Sequence, residues 1–166
     1  MSRLVFVLMI MFSGFTIADT EYKVDYYHSC EYPDRQTELT ALACNLYFEG
    51  RGESLVGRQA IVFVTINRAE SDRFPNSIVD VVYQHRQFSW HTDGLSDKVR
   101  DLIAWKDAIH ISSYVLGVSD SDYYYADVTE GSLFYHSTKV NPLWADDGNV
   151  VVRIDNHLFY REDKKK

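Results

Sequence analysis

The sequence predicts an α+β fold, mainly helical, with a small antiparallel β-sheet at its C-terminal end. Three observations carry this. Apolar residues recur with helical spacing in the segments before Gly117, the β-branched and aromatic runs SLFYHS, VVVRI and HLFYR follow it, and Asp155-Asn156 lies between the last two as a tight turn. Helices first and strands last is the order of an α+β chain. At 166 residues the chain suits one domain with a sizeable core, and 46% apolar with 25% charged side chains is a globular balance.

Taken in order, MSRLVFVLMIMFSGFTIA (1–18) places Arg3 before a short apolar stretch and small residues before Asp19, the pattern of a secretory signal. The apolar run is shorter than the ~20 residues that span a bilayer. Export to the periplasm or the outer envelope is therefore expected, with no stable membrane span once the signal is removed. A retained anchor is the alternative. Residues 19–36, rich in Tyr, Asp and Glu, read as an N-terminal arm, residues 37–163 as the single main domain, and Lys164–Lys166 as a solvated basic tail.

Asp34 and Thr37 are both able to cap the first helix. Within it Leu39, Leu42, Ala43 and Leu46 form one apolar stripe, and Glu49 falls beside Leu42 on its margin. Gly50 and Gly52 end it. Ser54–Arg68 contains the β-branched run IVFVTI, yet its length and polar flanks predict a second helix. FPNSIVDVVYQ predicts a short helix capped by Asn76, and Asp97–Leu116 a longer one stopped by Gly117. Cys30 and Cys44 form a disulfide in an exported chain, or else Cys44 is a small buried hydrophobe.

The charge balance, 24 acidic against 17 basic side chains, argues against a nucleic-acid partner, which needs a basic face. Six histidines, His28, His85, His91, His110, His136 and His157, include no HExxH or other compact pair, so no metal or other cofactor is expected. There is no GxSxG elbow and no Gly-rich phosphate loop.

Glu49 is the carboxylate to explain. In water a glutamate has a pKa of ~4.3 and holds no proton at neutrality. Beside an apolar stripe and a helix end, desolvation and nearby carbonyls oppose its ionisation, as a general acid requires. Arg51 acts the other way if it folds back, and a Glu49–Arg51 salt bridge is the competing reading. Glu53, before the second helix, reads as a cap or as an orienting partner. Aromatic rings in polar segments, Phe88, Trp90, Tyr124, Tyr135 and Trp144, suit a groove that stacks on sugar faces, although each ring alone also suits core packing.

Read together and in order, LACNLYFEGRGES, VGRQAIVFVTINR, RFPNSIVDVVYQ, QFSWHTDG, DVTEGSLFYHSTKVNPLW and IDNHLFYR resemble the cell wall hydrolase family of spore cortex-lytic enzymes and their phage and proteobacterial relatives. The likeness runs from about Leu39 to Arg161. It implies a lysozyme-like fold acting on peptidoglycan glycan strands, at the bond between N-acetylmuramic acid and N-acetylglucosamine, as a lytic transglycosylase or muramidase. The family's catalytic glutamate corresponds to Glu49. Tyr135 and His136 match its aromatic-His segment, and Asn156-His157 its Asn-His pair, both expected to line or support the cleft. Gly50 stands where Ala is usual, His91-Thr92 where Thr-Cys is, Val128 where Pro is, and Asp155 where Gly is. Glu53, Asp93 and Asp127 are candidates for a second carboxylate. A monomer is expected. The competing readings are a metal-dependent amidase and a silent envelope-binding protein.

Overall fold

Thr37, rather than Asp34, starts the first helix. Its hydroxyl accepts the Thr40 N–H while the Thr40 hydroxyl accepts the Thr37 N–H, so two otherwise orphan donors are satisfied reciprocally. The computed structural model describes residues 28–145 and 149–161. The expected signal, residues 19–27 of the expected arm and the basic tail lie outside those residues.

Helix α1 (Glu38–Glu49) buries every residue from Ala41 to Tyr47, more than the single stripe predicted from spacing. The reason is tertiary: α1 is packed against three other helices, α2 (Leu55–Glu70), α3 (Ile78–Val82) and α4 (Leu102–Leu116), so it has almost no solvent face. Its one buried amide, Asn45, is satisfied by donating to the Thr65 hydroxyl at 3.2 Å and accepting from the Trp90 indole at 3.1 Å.

The IVFVTI run is helical, within α2, and Ser54 caps it through the Gly57 N–H. Two boundaries differ from expectation. Ser77 caps α3 in place of Asn76, because its hydroxyl reaches the Asp80 N–H. The fourth helix starts after Asp101, whose carboxylate accepts from Ile103 and Ala104, while Lys98 in the preceding segment is drawn into a bridge with Ser29. A fifth helix, α5 (Asp120–Ala126), was not anticipated; DSDYYYA has no apolar period, and none of its residues is fully buried.

Strands β1 (Phe134–Ser137), β2 (Val150–Ile154) and β3 (His157–Tyr160) form an antiparallel sheet of order β1-β3-β2. The β2–β3 turn places Asp155 at φ 49°, a left-handed conformation that aspartate tolerates better than most side chains. Its carboxylate accepts the Ser54 N–H at 2.9 Å and thereby ties the hairpin tip to the start of α2. Gly57 is needed beneath it, since a Cβ there would collide with that carboxylate. A small apolar cluster of Ala60, Val64 and Phe159 joins α2 to the sheet.

The described residues ahead of α1, from His28 on, are packed on the domain. Cys30 and Cys44 are joined in a disulfide, the Cys30 N–H donates to the Asp97 carbonyl, and His28 stacks on Trp105 at 4.5 Å. Closing so short a loop stabilises the fold by about 3 kcal/mol through the unfolded chain. Cys30→Ser with Cys44→Ser is expected to lower the unfolding free energy by about that amount in urea titrations, with a larger m-value because the unfolded chain is no longer cross-linked.

Candidate functional site

Glu49 is the last residue of α1, half-buried, and stands in a cleft of about 410 Å³ with Arg68, Arg86, Gln87, Phe88, Ser89, Thr92 and Tyr135. An adjoining hollow of about 440 Å³ shares Arg68, Arg86, Gln87 and Tyr135 and continues along Phe134, His136, Val140, Pro142 and Trp144. The two form one groove. The α1 end supplies the carboxyl, α2 the guanidinium, the segment after α3 the Phe88 side, and β1 the aromatic side.

Burial pushes the Glu49 carboxyl above its ordinary value, opposed by the positive charge of Arg68 and by the Tyr135 hydroxyl. Because desolvation is the largest of the three, the balance favours the neutral acid relative to an exposed glutamate. Tyr135 is raised well above its ordinary value, first by burial and then by the Glu49 charge, so it keeps its proton and acts only as a donor toward the carboxyl. Its buried hydroxyl makes no hydrogen bond of regular geometry, so its contact with the Glu49 carboxyl is a loose one.

Arg68 is the buried cation of the site, Arg86 being exposed, and sequence reasoning passed over it. It is 4% exposed, its Nε donates to the Leu133 carbonyl at 2.6 Å, and its guanidinium lies 5.3 Å from the Phe74 and Phe88 rings and 5.9 Å from Phe134. Desolvation lowers its pKa to about 10, which leaves it charged at neutral pH. The available signal was an arginine at the end of an otherwise apolar helix, IVFVTINR, where a solvated residue would be ordinary.

The competing reading, a salt bridge from Glu49 to Arg51, is not found among the described residues; the charge bearing on Glu49 is that of Arg68. Arg51 is exposed, stacks over the Tyr47 ring at 4.6 Å, and lines a separate depression of about 330 Å³ with Leu46, Glu53, Asp101 and Asp107. The Arg51 side chain turns back along α1 onto Tyr47, one helical turn away, and the chain reverses directly after it at Gly52, φ 83°. Trp90, expected in the groove, is a core residue, stacked on Phe48 at 4.8 Å and bonded to Asn45. Tyr124 is 83% exposed on α5 beside Tyr125 and does not line the groove. Phe88, Tyr135, His136 and Trp144 do line it. His136 is held by the Ser137 carbonyl and the Tyr160 hydroxyl, both at 2.9 Å, and Trp144 packs across its ring. Glu53 and His157 sit behind Tyr135 rather than in the groove, paired at 3.6 Å.

The remaining second-carboxylate candidates are used elsewhere. Asp127 accepts from Asn67, from the Thr129 N–H and hydroxyl, and from Gly131, a buried network that fixes the loop entering β1. Asp93 is exposed and accepts from Leu95. Among the described residues that line the groove, Glu49 is the one acidic group. His28, Cys30 and Cys44 are the one trio placed to share a metal among the described residues, and their two thiols are consumed by the disulfide.

Comparison with known proteins gives this geometry its context. The model of the family described as Cell Wall Hydrolase matches residues 52–160, about two thirds of the chain. The chain belongs to the cell wall hydrolase family. The matched span opens at Gly52, three residues beyond Glu49. Curated relatives include the spore cortex-lytic enzymes of Bacillus cereus, 36% identical over 36% of this chain, and of Bacillus subtilis, 39% identical over 34% of it. This chain spans 23% and 19% of those two proteins' lengths. Among solved structures, the catalytic domain of Bacillus cereus SleB superposes with TM-score 0.54 at 22% identity, covering 80% of this chain and 98% of that one. The catalytic domain of the germination-specific lytic transglycosylase SleB from Bacillus anthracis gives 0.56 at 23%, covering 78% and 99%. The fold is the lysozyme-like α+β arrangement of those domains, as the sequence resemblance led us to expect.

Gly50 marks a local departure within the family resemblance. A Cβ at Gly50 would lie 2.7 Å from Leu46 Cδ1 and 2.8 Å from the Leu46 carbonyl oxygen, with Arg58 Cγ at 3.3 Å. Gly50→Ala is therefore expected to destabilise the protein, by about 1–3 kcal/mol in chemical denaturation, despite alanine's better helix propensity.

Proposed function

We propose that this protein cleaves the glycan strand of peptidoglycan between N-acetylmuramic acid and N-acetylglucosamine, with Glu49 as general acid and then base, leaving an anhydro-muramic end. The observation that carries the reading is a desolvated carboxyl, Glu49, as the one acidic group among the described lining of an aromatic groove in a cell wall hydrolase.

In the first step the Glu49 O–H protonates the glycosidic oxygen, the bond to the muramic anomeric carbon breaks, and positive charge develops on that sugar. The groove gives the new carboxylate two partners, the Arg68 charge and the Tyr135 hydroxyl. In the second step Glu49 removes the proton of the muramic 6-hydroxyl, whose oxygen attacks the anomeric carbon and closes the anhydro ring. The acid is regenerated and no water is consumed. A hydrolytic route needs a second carboxylate, at about 5–5.5 Å in a retaining enzyme or about 6.5–9.5 Å in an inverting one. Glu53, Asp93 and Asp127 are each engaged outside the groove, which favours the anhydro route.

Mass spectrometry of muropeptides released from purified sacculi tests this. Anhydro-muramic ends are expected; reducing ends alone would replace the transglycosylase with a muramidase, and new free amines without glycan cleavage would replace both with an amidase. Action in the periplasm or outer envelope accompanies the proposal. The Cys30–Cys44 disulfide fits an oxidising compartment, and among the described residues no helix is long and apolar enough to cross a membrane.

A further inference from the structure

Glu53 is an unusual carboxylate for a loop residue. Its side chain is 9% exposed, its Oε2 is buried without a regular hydrogen bond, and the imidazole beside it is that of His157, with Nδ1 at 3.6 Å. The His157 ring in turn stands edge-on to Tyr135, with centroids 5.4 Å apart and planes at 81°. Phe159 closes the other contact with Tyr135, stacked at 5.6 Å. A chain of contacts thus runs from the loop after α1, through the start of β3, to the hydroxyl that serves Glu49.

The backbone around this chain is fixed. The Glu53 N–H donates to the Gly50 carbonyl at 3.2 Å, and Asp155 bonds the Ser54 N–H, so both ends of the Glu53–His157 pair are anchored to the α1–α2 junction. The titratable groups facing His157 are Glu53 from the loop, Asp155 from its own turn and Tyr135 from β1; Asp155 also interacts with Glu53 through their side chains.

We infer that Glu53 and His157 are a positioning pair that holds Tyr135 against Glu49, so that the hairpin as well as α1 controls when the acid ionises. The inference rests on the role given to Glu49 above. Its signature is a sign. If Glu53 acted on Glu49 directly, as one negative charge on another, neutralising it would make Glu49 easier to ionise. If Glu53 acts through Tyr135, neutralising it loosens a donor that favours the carboxylate, and Glu49 becomes harder to ionise.

The test measures the pH dependence of kcat on purified peptidoglycan, and the Glu49 carboxyl titration by ¹³C NMR in the substrate-free protein, for Glu53→Gln, His157→Gln, Tyr135→Phe and the two double variants with Tyr135→Phe. Glu53→Gln is expected to move the Glu49 midpoint upward and lower kcat about tenfold, the order typical of a residue that orients a catalytic group. Neither Glu53→Gln nor His157→Gln should add a further shift in the Tyr135→Phe background. A downward or absent shift in Glu53→Gln, or shifts that add to that of Tyr135→Phe, would overturn the inference. The NMR readout needs no turnover, so it separates failure of this pair from failure of the proposed reaction, which Glu49→Gln tests alone.

Discussion

Glu49→Gln is expected to lose about 10³-fold in peptidoglycan clearing, within the range that a positioned general acid supplies, while binding to sacculi persists. Glutamine keeps the shape and a polar contact for Tyr135 but has no acidic proton. The same variant should be at least as stable as the parent at pH 7. Glu49 has a folded pKa raised above its ordinary value of 4.5. Its contribution to stability is therefore complete below that unfolded value and is lost as pH rises through the folded one. Urea unfolding from pH 4 to 8 checks this: the parent loses stability across that window through Glu49, and Glu49→Gln lacks that component. Clearing left intact in the variant would remove Glu49 from the mechanism.

Arg68→Met is expected to give the second largest effect, a loss of about tenfold to hundredfold in kcat, comparable to removing one electrostatic donor at a developing anion. The physical reason is that Arg68 is the positive charge bearing on Glu49, and the carboxylate formed when the proton leaves would lose its counter-charge. Removing a cation also makes Glu49 harder to ionise, so the alkaline limb of the activity profile should move to higher pH as the maximum falls. Methionine fills the space among Phe74, Phe88 and Phe134 but leaves the Leu133 carbonyl without its donor, a cost of about 1–3 kcal/mol. An unchanged pH profile with only a lower melting temperature would reduce Arg68 to a structural residue.

The helices of the core were legible because their signals are local. Leu39, Leu42, Ala43 and Leu46 share a face by spacing alone, and Thr37 sits where a cap is required, whereas the cap of α2 is Ser54 and not Glu53. The hairpin was legible through Asp155-Asn156. Where the reading missed, the deciding contact came from far along the chain. Asn76 and Ser77 are equal caps on paper, and geometry selects the serine. Trp90 looked like a groove residue because QFSWHTDG is polar, but Asn45, 45 residues earlier, supplies the acceptor that lets an indole be buried. Arg51 adjoins Glu49 in sequence, whereas its ring partner Tyr47 lies one helical turn back.

By itself the sequence determined that a mainly helical α+β domain would end one amphipathic helix on a carboxylate at the edge of its core, since periodicity and glycine stops act over a few residues. The tertiary structure alone decided what that carboxylate meets. Arg68 comes from the far end of α2 and Tyr135 from a strand, 86 residues after Glu49, and each was placed by packing against rings from other segments. Desolvation and charge depend on distance in space, which residue order does not specify.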